Sequence, residues 1–232
     1  GSENLSTISV IFSPIERENY SDLDVNYEQV VSDYGIKQRL IITKPKGVTK
    51  SAAVIILQGL SCSSIEKIPG RDNNYMRLLT DIVKDSGLVV MRVEKPGLGD
   101  SEGDCSKTDF KTELNGYESA VKHLLTKEYV DKNKVIVYGN SMGSALAPYI
   151  ANKFNLAGVI SDGTYLRTWF EHMLEIERRI RKLQGESEAQ ITKNMNLGYI
   201  PLYYEMLIKK RSYGDIIQEN PSLAQYNYHG LE

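Results

Sequence analysis

One stretch of the chain carries the residue types of a serine nucleophile. In KVIVYGNSMGSALAPYIAN, residues 134–152, a short apolar run ends at the motif GNSMG, and an Ala- and Leu-rich helical pattern follows at once. A G-x-S-x-G motif between a strand and a helix is typical of a sharp turn that holds the serine Oγ above a sheet. Side chains at Gly139 and Gly143 would collide across so tight a turn. Ser141 is therefore the candidate nucleophile for acyl transfer.

A second match to the same pattern, GDSEG at residues 99–103, is interpreted as a loop. The strand before it ends several residues earlier, Pro96 intervenes, and no apolar helical pattern follows. Since the motif implies a nucleophile turn only between a strand and a helix, Ser101 is not expected to react. Pro148 lies in the helix after the first motif and is expected to bend it or to remove a hydrogen bond.

The composition is that of a globular protein with one sizeable α/β domain and an appendage. The chain has 232 residues, of which 41% are hydrophobic and 25% charged, and its formal net charge is −2. That charge, without a basic stripe, argues against nucleic acid as the main partner. No apolar run approaches the length that spans a membrane. Cys62 and Cys105 are too few for a disulfide framework or a metal site, so free thiols, no metal, no cofactor and a cytoplasmic location are expected.

The order of apolar runs predicts a mostly parallel sheet that is covered by helices on both faces. Two β-like runs between Val25 and Lys44 read as an antiparallel hairpin, and further buried strands and helices alternate after it. The other predicted strands are Ile8–Phe12, Ala52–Leu57, Leu88–Val93, Val135–Tyr138 and Leu156–Ser161, and the helices lie at about 71–85 and 109–127. Because active sites in such sheets lie at the carboxyl ends of the strands, the loops after these strands are expected to converge.

Three of these loops together resemble the α/β-hydrolase superfamily of serine esterases, thioesterases and peptidases. They are Gln58-Gly59-Leu60, the loop at residues 94–101, and the motif around Ser141, and the resemblance covers roughly residues 25–165. The family usually has His-Gly at the first loop and Asp-x-Arg-Gly-x-Gly-x-Ser at the second. The resemblance implies an α/β-hydrolase fold and an acyl hydrolase activity that needs no cofactor.

The resemblance also implies roles for particular residues. Ser141 would attack an acyl carbonyl while a histidine removes its proton, and the backbone N–H groups of Leu60 and Met142 would form the oxyanion hole. Asp162, directly after the sixth strand, stands in a minority position for the catalytic acid. It also fits an ordinary Asp-Gly turn.

None of the three histidines stands where the family places its base. His123 precedes the motif in sequence and is interpreted as a surface or packing residue. His172 lies beside the apolar stripe of a later helix, where a structural role is favoured. His229 is near the end of the sequence and is the remaining candidate for the base.

The residues after the sixth strand are predicted to be helical, and the resemblance implies that these helices form a cap over the serine. Amphipathic helices are expected at 166–184, 187–196 and 202–211, with Trp169, Met173, Ile176 and Ile180 on one stripe. The chain is accordingly divided into a hydrolase core at 3–165 and a cap at 166–230. The tyrosines at 199, 203, 204 and 213 suggest an acyl or aromatic pocket, although aromatics at helical spacing are more often core residues.

The sequence thus predicts a hydrolase core and cap that lack the last strands and the catalytic histidine. Either the chain is truncated or it is a naturally non-catalytic relative of the family. Two functions follow: cleavage of an ester, thioester or amide through Ser141 on a small-molecule or acyl-carrier substrate, or a binding and scaffolding module. An unshielded strand at Leu156–Ser161 would recruit partners. A homodimer through this sheet edge or through the cap is therefore expected.

Overall fold

A six-stranded sheet forms the centre of the computed structural model, which describes residues 17–66, 82 and 86–226. The strands are β1 Leu23–Val31, β2 Lys37–Pro45, β3 Ser51–Leu57, β4 Val89–Val93, β5 Val130–Asn140 and β6 Gly158–Asp162. Their order across the sheet is β1-β2-β4-β3-β5-β6. β1 and β2 form an antiparallel hairpin and β2 pairs antiparallel with β4, whereas the remaining neighbours are parallel.

This topology confirms the predicted fold class. The antiparallel hairpin, the buried parallel strands and the strand before GNSMG all form where the apolar runs indicated, with small shifts of the boundaries. The predicted strand Ile8–Phe12 lies outside the described residues. So does most of the helix expected at 71–85, of which only Ile82 is described, in helical conformation.

Two helices cover one face of the sheet and bury most of its apolar side chains. They are α1 Phe110–Leu124 and α2 Met142–Lys153. Side chains such as Ile55, Met91 and Val137 pack between the strands and these helices. Pro148 lies inside α2, which continues past it to Lys153. Burial of β3 and β4 on both faces explains why their sequences are uninterrupted apolar runs rather than alternating ones.

The helices after β6 bury their apolar side chains mainly against one another. Thr168 begins the first of them with a capping box in which its side chain and that of Glu171 satisfy each other's backbone N–H. The helices are α3 Trp169–Leu183, α4 Glu188–Asn194, α5 Ile200–Tyr203 and α6 Tyr213–Glu219, with π-helical segments at Met195–Tyr199 and Tyr204–Ile208. The two helices expected at 187–196 and 202–211 therefore form one continuous helical segment, because the π-helical residues connect them.

β6 is an edge strand in the part of the chain that the structure describes. It pairs with β5 alone, and no described residue after Asp162 adds a strand. Val159 and Ile160, on opposite faces of the strand, are 39% and 49% exposed. Apolar side chains are thus exposed on both faces of β6, and its backbone groups are open along one edge.

The second match to the serine motif is a loop, as expected, and Arg39 holds it in place. The guanidinium lies 2.9 Å from both Glu66 and Glu94, and all three side chains are buried. The backbone N–H of Arg39 donates to Ser101 Oγ at 2.9 Å. A Cβ on Gly99 would lie 2.1 Å from Arg39 Nη2, so the loop fits this cation closely. Ser101 therefore supports the loop.

The expectation of free thiols is wrong, because Cys62 and Cys105 form a disulfide. Their Cα atoms are 5.8 Å apart although the residues are 43 positions apart in sequence. Cys62 lies in the loop after β3 and Cys105 in the loop after β4. Since β3 and β4 are parallel neighbours, both loops leave the same edge of the sheet. Cysteine number and spacing alone did not reveal this proximity.

The turn from β5 into α2 depends on two backbones that lie very close together. A Cβ on Gly139 would be 2.3 Å from the carbonyl oxygen of Gly143, and one on Gly143 would be 2.2 Å from that of Leu57. These distances are far below any real contact of a Cβ atom. The glycines of the motif therefore have a packing role, as the sequence indicated.

We predict that the disulfide stabilises the core substantially. In the chain-entropy model, closing a loop of 43 residues lowers the conformational entropy of the unfolded chain and so raises its free energy by about 4 kcal/mol. The double variant Cys62→Ser/Cys105→Ser should lower the free energy of unfolding by that order in urea titrations. The wild type should show no reactive thiol under native conditions. Two titratable thiols in the native wild type would contradict the bond.

A second prediction concerns Gly143. Gly143→Val should lower the free energy of unfolding by more than about 3 kcal/mol, because the side chain meets the backbone of β3, which cannot move away. Gly158→Val is the matched control, since a Cβ there meets only Ile136 Cγ2 at 3.6 Å. Equal thermal denaturation midpoints for the two variants would show that the turn does not have this geometry.

Candidate active site

Ser141 occupies a strained position between β5 and α2. Its φ of 51° and ψ of −116° lie in a region that residues with a Cβ rarely adopt. The strain is sustained by the surrounding contacts: the N–H of Ser141 donates to the carbonyl oxygen of Asp162 at 2.8 Å, and the N–H of Ser144 donates to that of Ser141. Ser141 is exposed and immediately precedes α2. The first N–H groups of that helix, including Met142, have no partner within the helix.

The loop after β3 lies directly against this serine. A Cβ on Gly59 would be 3.1 Å from the Cβ of Ser141, which brings the following residue, Leu60, to the nucleophile. Gln58 stands where the family usually has histidine, and its Nε2 donates to Ser61 Oγ at 3.0 Å and to the Ser63 carbonyl at 2.7 Å. The side chain of Gln58 therefore stabilises the conformation of its own loop by binding residues further along it.

A buried lysine that sequence reasoning missed supports the same loop. Lys95 Nζ donates to the Gly59 carbonyl oxygen at 2.7 Å. It also lies 3.2 Å from Glu113 Oε1, with the two side chains 3% and 9% exposed. The contact with Glu113 is electrostatic, since Oε1 accepts no hydrogen bond from the described residues. The available signal was a lysine two residues after the buried strand β4, a position at which a lysine is usually interpreted as exposed.

Asp162 lies at the same edge of the sheet as Ser141. Its Oδ2 accepts hydrogen bonds from Tyr138 Oη at 2.8 Å and from Asn140 Nδ2 at 3.0 Å. Burial and the bond to Asp162 raise the pKa of Tyr138 to about 12, so the phenol stays a donor at neutral pH. The carboxylate is thus oriented by two side chains of β5. Asp162 is otherwise exposed.

The described histidines make their contacts elsewhere. His123 Nε2 pairs with Glu28, on the side of α1 that faces β1. His172 stacks on Tyr165 with ring centroids 4.6 Å apart. Within residues 17–66 and 86–226, no histidine forms a hydrogen bond with Ser141 or Asp162. His229 lies outside the described residues.

Tyr165 connects the helices after β6 to the serine loop. Its hydroxyl donates to Met142 Sδ at 3.0 Å, and its ring packs on Trp169 and His172. Burial, with a smaller contribution from the nearby Glu113 carboxylate, raises the pKa of Tyr165. Two of the tyrosines suggested for a pocket are core residues instead, since Tyr199 and Tyr203 are fully buried among the helices after β6.

Two cavities flank this region. One, of about 330 Å³, lies between the loop after β3, the disulfide and the start of α1, and its wall includes Leu60, Lys95 and Glu113. The other, of about 270 Å³, lies between residues 164–167 and α3. The first is lined by Leu60, one of the two residues whose N–H groups are expected to form the oxyanion hole, so an acyl or alcohol group could enter there.

Comparisons with known proteins point to esterases. No protein-family model matches the chain. Esterase EstD of Thermotoga maritima is 26% identical over 180 residues, which are 78% of this chain and 42% of EstD. An uncharacterized membrane protein of Saccharomyces cerevisiae, YNL320W, is 36% identical over 95 residues, 40% of this chain and 32% of that protein. The chain thus spans less than half the length of these two relatives.

Solved structures show the same likeness. The esterase Pf2001 of Pyrococcus furiosus matches with a TM-score of 0.54 at 18% identity, over 77% of this chain and 63% of that one. Esterase Est22 matches with a TM-score of 0.51 at 16% identity, over 63% and 45% of the respective chains. None of the described helices is long and apolar enough to cross a membrane. The sheet order, the strained serine turn and these likenesses identify the chain as a protein with the α/β-hydrolase fold, as its motifs predicted.

Proposed function

We propose that the protein is a serine hydrolase that cleaves an ester, thioester or amide through Ser141. The observation that carries the proposal is the strained backbone of Ser141 beside the Gly59-Leu60 loop. Backbone strain of this kind costs free energy and is typical of functional sites. A fold that needed only stability would gain from a relaxed turn at this position.

In the proposed reaction, Ser141 Oγ attacks the acyl carbonyl and the carbonyl oxygen becomes an oxyanion. The N–H groups of Leu60 and Met142 stabilise that charge, and each such donor contributes on the order of 3 kcal/mol to the transition state. Asp162 serves as the acid that orients the base, held by Tyr138 and Asn140. The substrate is a small molecule or an acyl group on a carrier.

We assign the role of base to a histidine outside the described residues, and His229 is the candidate within this sequence. His123 is engaged with Glu28 and His172 with Tyr165, so both have structural contacts. A chain without a base at the serine would be catalytically incomplete and would act as a binding or scaffolding module. The absence of a described histidine at Ser141 is the observation that favours this second function.

We further propose a division into a core at 3–165 and a cap at 166–230, with Tyr165 as the link between them.

The disulfide argues against the cytoplasmic location that is expected from the sequence. Disulfides persist mainly in oxidising compartments, so the Cys62–Cys105 bond favours such a compartment.

The nucleophile is tested with a fluorophosphonate probe, which phosphonylates an activated serine. We expect the wild type to be labelled at Ser141 and the folded Ser141→Ala variant not to be. Hydrolysis of p-nitrophenyl butyrate should fall by at least about 10⁴-fold in this variant, since loss of a nucleophile removes the covalent route. The measurements are mass spectrometry of the labelled peptide and initial rates.

Ser101→Ala is the matched control and should still be labelled at Ser141, with a stability loss of about 1 kcal/mol from the lost bond to the Arg39 N–H. His229→Ala should abolish labelling if His229 is the base. A folded wild type that reacts with neither probe nor ester would exclude the hydrolase and support the binding module.

The open edge of β6 generates a prediction about assembly. We expect the chain to associate at micromolar concentration, because an apolar strand with one unpaired edge recruits a second strand. Ile160→Lys should reduce association without unfolding, since Ile160 is already 49% exposed and a charge there disfavours pairing. Light scattering measures the mass of both proteins. A wild type that stays monomeric would rule out this interface.

A further inference from the structure

We propose that Lys95 is a positioning residue for the oxyanion hole, acting through the peptide group that joins Gly59 to Leu60. The inference rests on the proposed function, because it assigns a role within the same site. Lys95 Nζ donates to the Gly59 carbonyl oxygen at 2.7 Å. That carbonyl and the N–H of Leu60 belong to one peptide group.

The planarity of this peptide couples its two ends. In a trans peptide the C=O and N–H bonds point in opposite directions and rotate only as a unit. A cation that holds the Gly59 oxygen on the buried side therefore fixes the Leu60 N–H toward the opposite side. Gly59 lies against Ser141, with its Cβ position 3.1 Å from the serine Cβ. In the proposed arrangement, this places the fixed N–H on the side of the peptide that the oxyanion approaches.

The environment of Lys95 makes this cation rigid. Its side chain is 3% exposed, and the 9% exposed carboxylate of Glu113 lies 3.2 Å away. Glu113 is in the first turns of α1, which packs on the sheet. A buried lysine is costly unless it is paired and hydrogen-bonded. Here the paired carboxylate comes from helix α1 and the hydrogen-bond acceptor is the Gly59 carbonyl. Hydrogen bonding to the carbonyl also polarises the peptide, which makes the N–H a stronger donor.

The rest of the loop shows why one fixed point is needed at this position. Gln58 bonds to Ser61 and Ser63, and the disulfide at Cys62 ties the far end of the loop to Cys105. Neither contact acts on the Gly59–Leu60 peptide itself. Lys95 is the described side chain that donates to it.

The test compares Lys95→Met with Lys44→Met. Methionine keeps much of the lysine volume without the donor. Lys44 is likewise ion-paired, with Asp24 at 2.7 Å, but lies on β2 beyond the amino ends of the parallel strands. For p-nitrophenyl butyrate we expect Lys95→Met to lower kcat about 10- to 100-fold with little change in KM, since outright loss of a donor costs about 10²–10³. Lys44→Met should keep the wild-type kcat.

A second measurement does not depend on activity. The ¹⁵N order parameter of the Leu60 amide should fall in Lys95→Met from about 0.85, typical of rigid backbone, toward 0.6, and stay high in Lys44→Met. Glu113→Gln retains the lysine and should lower kcat and the Leu60 order parameter as well, but by less. This variant replaces Lys95→Met in the test if Lys95→Met does not fold. An unchanged kcat or a rigid Leu60 amide in folded Lys95→Met would overturn the inference. An inactive, unlabelled wild type would overturn the proposed function instead, while the order parameters still decide the role of Lys95.

Discussion

The site depends on one close contact between backbones, where the turn after β5 lies on the end of β3. Gly143 approaches the Leu57 carbonyl so closely that a Cβ would be 2.2 Å from it. This approach brings the turn beside the loop that leaves β3, and so sets Ser141 against Gly59. Ser141 and Gly59, which are 82 residues apart in sequence, thereby share one site. The strain at Ser141 persists because the core on both sides of the turn fixes the ends of the strands.

Buried charges support the loops on which this contact rests. Glu94 takes the place of the aspartate that begins the second loop in the family pattern, and Pro96 takes the place of its arginine. The cation for Glu94 comes instead from Arg39 on β2. Each buried charge costs desolvation, which close pairing and hydrogen bonds offset. Lys95, the residue after Glu94, is likewise a buried and paired charge, and it supports the loop at Gly59.

The parts of the fold that the sequence predicted share a local signal. Apolar runs predicted the strands, and the glycine spacing around Ser141 predicted the turn, because both depend on residues adjacent in sequence. The disulfide, the Arg39 cluster and the contact of Lys95 with Gly59 depend on which strands are neighbours. Since β4 lies between β2 and β3, residues distant in sequence meet there. Periodicity in one sequence carries no information on such pairs.

The relation between the helices after β6 and the serine follows from how those helices are packed. Met173, Tyr199 and Tyr203 belong to a hydrophobic core made by these helices themselves, so the core of the sheet does not fix their position. Tyr165 is a contact that joins them to the serine turn, because its hydroxyl reaches Met142 while its ring stacks on His172. Since Met142 supplies one of the proposed oxyanion donors, a displacement of the helices would be felt first at the oxyanion side of the site. In the proposed site, Tyr165 is therefore a link between these helices and the residue that supplies one oxyanion donor.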